Sequence, residues 1–194
     1  MKITKDENGF ENLKAMFLEA NRAFLENHVI LLRRKISERW LCGALMYELN
    51  KQLEKKNLKK YYADIEFNRD EDNVKRISYK TDDGVYSKRI FTDIIVHSRG
   101  EVSLDNLIAL EMKKSIASQE EKDDDKARLK HLTKLNTNTS FGSYEYILGI
   151  YYEINLDEEE IKIEFFYDGN RKGQLFMCKY WFLNVGDFNE YRLC

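Results

Sequence analysis

The chain has 194 residues, room for one domain of ordinary size spanning 1–194. Apolar residues make up 43% and aromatics 13%, enough to bury a core, and the absence of proline excludes Pro-rich ligands and collagen-like segments. With 32 basic groups against 34 acidic ones the formal charge is -2, so any nucleic-acid contact needs a local basic patch rather than an overall field.

Residues 10–27 read as an amphipathic helix, because Phe10, Leu13, Met16, Phe17, Ala20 and Phe24 recur at helical spacing. A second helix is predicted over about 34–56, with Trp40, Leu41, Ala44, Leu45, Leu49 and Leu53 on its apolar side. Its basic tail, Lys51, Lys55, Lys56, Lys59 and Lys60, complements a helix C-terminus. These helices, over about 10–56, lead into an α/β core over about 61–183. There the period changes: Tyr62–Phe67, Arg89–His97 and Leu107–Lys113 are short runs rich in Ile, Val and Phe, read as strands. A polar stretch over 68–88 has its turn signal at Thr81-Asp82-Asp83-Gly84. Helical spacing returns over 122–135 with Leu129, Leu132 and Leu135, and Asp123-Asp124-Asp125 is placed at that helix's start, where carboxylates favour the dipole. Tyr144–Ile154, Ile161–Tyr167 and Gln174–Leu183 are the last strands, with Asp168-Gly169-Asn170 as a hairpin turn. A mixed sheet with helices packed on it is the economical architecture.

Cys42, Cys178 and Cys194 are odd in number and widely spaced, which rules out a C-x-x-C zinc or redox motif. Acidic residues within the first twenty positions do not suit a secretory segment, and the longest aliphatic run, Val29–Leu32, is far short of the ~20 residues a bilayer span needs. The expectation is a cytoplasmic protein without membrane partners.

The chemistry concentrates in two segments. Glu111 and Lys113 alternate with Met112, so both point to one face of a strand otherwise built from Leu, Ile and Ala. Asp93 is a lone carboxylate in an apolar segment with Phe91 and Ile95 on its own face. If the two strands are neighbours, Asp93 and Glu111 converge with Lys113 beside them. Two carboxylates sharing a small site repel unless a cation lies between them, and hard oxygen ligands suit Mg2+ or Mn2+. Such an ion activates water and neutralises a phosphodiester. Lys113 would then hold or deprotonate the attacking water, or neutralise the phosphate. A structural ion-pair network of Asp93 and Glu111 with Arg89, Lys113 and Lys114 is the plainer reading of the same residues.

Asp93, followed after 17 residues by Glu111-Met112-Lys113, resembles the PD-(D/E)xK motif of the restriction-endonuclease-like nucleases. The blocks Tyr62-Ala-Asp-Ile-Glu-Phe-Asn-Arg69, Thr92-Asp-Ile-Ile-Val-His-Ser-Arg-Gly100, Asn106-Leu-Ile-Ala-Leu-Glu-Met-Lys-Lys114 and Asp125-x-x-Arg128-Leu129-x-x-Leu132-Thr133 are similar to small bacterial members with no assigned role. Ser37-Glu38-Arg39 matches the family's helical glutamate, which there often completes the metal site. The resemblance covers roughly 36–152, and the proline that names the motif is replaced by Thr92. It implies a three-layer α/β/α fold with a central mixed sheet and Mg2+-dependent phosphodiester hydrolysis. In that reading Asp93, Glu111 and Lys113 are catalytic, and Asp93, Glu111 and Glu38 are metal ligands. DNA or RNA is the partner, a homodimer would cut both strands, and no organic cofactor is needed. Bacterial defence, a prophage or nucleic-acid processing is the implied setting.

Other residues have a bland reading beside a sharp one. Glu38, near a helix start, is a capping residue or a ligand. Glu66 shares a strand face with Asp64 and Asn68 and either approaches the site or faces solvent. Lys126, Lys130 and Lys134 recur every four residues, a stripe that tracks a phosphate backbone or is a solvated face. Arg99 contacts phosphate or caps its turn. Tyr144, Tyr146, Tyr151 and Tyr152 stack on bases or, by their place in a strand, pack the sheet. His28, His97 and His131 are read as structural, Cys42 as core and Cys194 as an exposed tail. A nuclease-like module that binds nucleic acid or a protein without cutting is the rival to the enzyme.

Overall fold

The computed structural model describes residues 1, 3–34, 36–65, 92–135 and 144–180, together with the backbone of 69–70, 73–74, 76–81 and 84–89. Asp6 Oδ1 accepts the Gly9 N–H at 2.9 Å, satisfying a free donor at a helix start, and α1 (Glu7–Leu32) follows. It outruns the predicted 10–27 at both ends because the cap lies earlier and because Val29 and Leu32 extend the buried stripe. Ser37 caps α2 (Glu38–Lys55) by accepting the Trp40 N–H at 3.3 Å, which sets the start later than the predicted 34. Trp40, expected on the apolar side, is instead 37% exposed and meets His28 of α1 edge-on at 5.4 Å.

The strands are β1 (Tyr62–Ile65), β2 (Arg69–Asp70), β3 (Asn73–Val74), β4 (Arg76–Thr81), β5 (Gly84–Arg89), β6 (Ile94–His97), β7 (Asn106–Lys114), β8 (Leu148–Asn155), β9 (Glu160–Tyr167), β10 (Asn170–Arg171) and β11 (Phe176–Lys179). The predicted strand 89–97 is therefore divided, with Asp93 just ahead of β6. The polar stretch forms paired β4 and β5, in which Thr81 faces Gly84 at the expected turn. Asp168 and Gly169 both have positive φ, 47° and 73°, so the hairpin turn falls where its residues predict. Glu66, Phe67, Asn68, Phe91, Leu183, Cys194 and the Arg89 side chain lie outside the described residues.

Among the described residues the main sheet has seven strands in the order β1-β6-β7-β8-β9-β10, with β11 also on β9. β7 and β8 are parallel and the other pairs antiparallel, so the sheet is mixed as expected. A parallel pair needs a crossover, and α3 (Gln119–Thr133) supplies it. Alternation along the strands decides the layers. Ile94, Val96, Ile108, Leu110 and Met112 pack with α1 and α2, while Ile95, Ala109, Tyr151 and Phe166 pack under Leu129 and Leu132 of α3. Helices thus cover both faces. Among the described residues no helix is long and apolar enough to cross a membrane.

α3 starts at a capping box, Ser118 with Glu121, so its first residue, Gln119, lies three residues before the predicted 122. The aspartates 123–125 are therefore in its second turn rather than at its start, and Leu135 lies past its end. Tyr146, Tyr151 and Tyr152 are buried to 1% exposure or less, so they pack the sheet. Tyr152 donates to Asn21 Oδ1 of α1 at 2.9 Å. Cys42 is a core residue, its Sγ 3.9 Å from Met112 Sδ.

Candidate active site

Pairing brings the predicted residues together. β6 runs against β7 with Ile94 opposite Leu110, and continuing that register by one residue sets Asp93 opposite Glu111. Asp93 Oδ2 accepts the Met112 N–H at 2.7 Å, which fixes the carboxylate against β7. Glu111 in turn faces Tyr151 of β8, and Tyr151 faces Glu164 of β9. Asp93, Glu111, Tyr151 and Glu164 therefore form one polar row across four chain segments, on the face that α3 covers. Lys113 lies two residues along that face.

Two helices bring further charges to this row. Glu38, in the first turn of α2, accepts the Lys114 N–H at 3.1 Å through Oε2 and stands 3.8 Å from Lys113 Nζ through Oε1. It is thus turned toward the end of β7. A cleft of about 80 Å3 lies between Glu38, Arg39, Cys42, Ile65 and Asp93.

From α3, Arg128 Nη1 donates to Glu111 Oε1 at 2.6 Å and lies 3.1 Å from Asp125 Oδ1. The remaining oxygen, Asp125 Oδ2, is buried and meets no donor in hydrogen-bond geometry, though Lys113 Nζ is 3.3 Å away. Asp125 and Arg128 are the members of the site that sequence reasoning did not single out for it. Their signal was present in the spacing. Asp125, Leu129 and Leu132 fall four and three residues apart, the same inward stripe.

The electrostatics follow from burial. Loss of water holds the Glu111 carboxyl well above its ordinary range; Arg128 opposes this, and Asp93 and Asp125 reinforce it. Asp93 is raised by burial too, with Met112 N–H and Lys113 pulling down and Glu38 and Asp125 pushing up. For Lys113, burial opposes the charge, but Asp125, Glu38 and Asp93 outweigh it and keep the ammonium above the usual lysine range. In this arrangement Lys113 is a cation and hydrogen-bond donor. The Cys42 thiol is pushed up by burial and then by Asp93, Glu38 and Glu111, so it is no nucleophile.

The donor set fits a hard divalent cation in kind: Glu38, Asp93, Glu111 and Asp125 are all oxygen ligands, and one buried oxygen of Asp125 lacks a hydrogen bond. Its arrangement is not closed around an ion. Among the described residues no group of three His, Cys, Asp or Glu is set to hold a metal. Met112 N–H holds Asp93 through Oδ2, and Arg128 holds Glu111 through Oε1.

The basic residues proposed for nucleic acid are placed differently. Lys126 pairs with Glu164 and lies 4.6 Å from the Tyr151 ring, on the sheet side of α3. Lys130 is exposed, and Lys134 is the helix cap with extended backbone. The three do not form one helical stripe, because α3 ends at Thr133. Arg99 lies beyond the far end of β6, where Nε and Nη2 donate to the Asp64 carboxylate at 2.9 and 2.7 Å above the Tyr62 ring. Asp64 also meets the buried His97 Nε2 at 3.0 Å, so both Arg99 and His97 have structural tasks. No family model, curated protein or solved structure shows a significant match to this chain, so the functional argument rests on the site's own residues.

Proposed function

We propose that this protein is a metal-dependent nuclease of the restriction-endonuclease-like type, hydrolysing phosphodiester bonds of DNA or RNA. The observation that carries the reading is the convergence of Asp93 and Glu111 across β6 and β7, with Lys113 on the same face and Glu38 turned toward it from α2. Asp93, Glu111 and Glu38 would hold Mg2+ or Mn2+, which supplies charge neutralisation at the phosphate and a more acidic water. Asp93 is oriented by the Met112 N–H. Lys113 offers its ammonium to the attacking water or to a phosphate oxygen. Hydrolysis forms one P–O bond from water and breaks one P–O ester bond, whose leaving oxygen takes up a proton.

The test is cleavage of labelled linear DNA, circular DNA and RNA with Mg2+ or Mn2+, against EDTA and Lys113→Ala. Metal-dependent cutting lost in the variant is the expected result. The pairing of Glu111 with Arg128 favours one other reading, a module of this type that binds nucleic acid or a protein without cutting. In the enzyme, Mn2+ stabilises the wild type but not Asp93→Ala; in the silent module it stabilises neither.

A further inference from the structure

Arg128 is the group in the site that the nuclease reading leaves without a task. One atom, Nη1, contacts both Glu111 Oε1 at 2.6 Å and Asp125 Oδ1 at 3.1 Å. These carboxylates come from different elements and are 1% and 4% exposed, so water screens neither. A single positive atom bridging two buried carboxylates does what a bound cation does there: it cancels their repulsion. The geometry points to Arg128 as a built-in counter-ion that competes with a divalent cation for Glu111 and Asp125, which makes Asp125 a further member of the cation-binding set.

This inference rests on the metal-dependent reading above. The guanidinium and a divalent ion compete for Glu111 Oε1, so an ion bound through that oxygen requires Arg128 to withdraw. The fold has a reason to carry such a group. The buried apolar contacts of α3 with the sheet come down to Leu129 and Leu132, while Lys122 and Lys126 tie it to Glu153 and Glu164 by ion pairs. Without a cation at the row, Arg128, with Lys113 beside Asp125, adds a charged tie that seats α3 over Glu111.

The experiment is a calorimetric Mn2+ titration of the full chain, with melting curves in parallel, for wild type, Arg128→Gln and Arg128→Lys. Arg128→Gln is expected to bind Mn2+ about tenfold or more tightly, the size of losing one charged hydrogen bond as competitor. Its melting temperature is expected to be lower without Mn2+ and to rise further with it than the wild type's. Arg128→Lys keeps the buried charge balanced, and hence the fold, but reaches less far; it is expected to bind more tightly than wild type and less tightly than Arg128→Gln. Asp93→Ala in the Arg128→Gln background should remove the binding. Variants that bind no more tightly than a wild type that does bind Mn2+ overturn the counter-ion and leave the nuclease reading standing. Absence of Mn2+ binding in all three proteins overturns the metal-dependent reading itself, and the counter-ion with it.

Discussion

Replacing Arg128 by Met keeps much of its packing and removes its charge, leaving the Glu111 carboxyl 1% exposed beside Asp93 and Asp125 without its guanidinium partner. Breaking a buried ion pair from one side costs about 3–5 kcal/mol. For a chain of 194 residues that lowers the melting temperature by about 6–20 °C. Glu111→Gln behaves differently. It keeps the shape, relieves the repulsion with Asp93 and Asp125, and leaves Arg128 its contact with Asp125, so about 1–2 kcal/mol is the most it should cost. The double variant should recover at least about 2 kcal/mol of the Arg128→Met loss. Acid supplies a further check. The folded-state pKa of Glu111 is raised, so its ionisation costs stability once pH rises above the unfolded value. The Arg128→Met loss therefore grows as pH rises above the ordinary carboxylate range and shrinks below it, where Glu111 is protonated in both states. Thermal melts without added metal measure all of this. Equal losses for the two single variants, or a pH-independent Arg128→Met loss, would refute the asymmetry.

Asp93→Asn retains an oxygen for the Met112 N–H while removing a carboxylate that burial, Glu38 and Asp125 hold above its usual range. Metal-free Asp93→Asn should melt higher than wild type at neutral pH, the gap closing below about pH 4 as Asp93 protonates; a lower melting temperature at neutral pH would contradict this. Gly149→Ala places a Cβ 2.8 Å from Thr133 Cγ2 and 3.0 Å from Phe166 Cβ, so it should destabilise by about 1–3 kcal/mol in a denaturant titration, and an unchanged midpoint would refute that crowding. Burial raises the Asp64 pKa, but Arg99 and His97 outweigh it and hold the carboxyl below its ordinary range. The stability it supplies is full above the unfolded value of 3.8 and is lost as pH falls through the folded value, so the deficit of Asp64→Asn should vanish in acid. With Arg99 largely exposed, that deficit is about 1 kcal/mol at neutral pH, read from melts in low salt.

Short-range physics made much of this protein legible in its sequence. Strand alternation put Glu111 and Lys113 on one face, helical spacing marked the buried stripe of α1, and Asp168-Gly169 supplied the positive-φ turn. The lone carboxylate at Asp93 was recognisable because nothing in an apolar segment needs it. Caps were written as clearly, at Asp6, Ser37 and Ser118, and following them would have corrected all three helix starts. What the tertiary structure alone decided is which charges meet. Glu38 is a first-turn glutamate by sequence; only the seating of α2 against the end of β7 gives it the Lys114 N–H. Asp125 reads as one of three aspartates favouring a helix start, and only the crossover of α3 between parallel β7 and β8 sets it, with Arg128, over Glu111. Periodicity is a property of a few consecutive residues and survives in any context. A cluster of charges depends on where separate elements close on one another, and burial at that closure is what raises Glu111 and gives Arg128 its task.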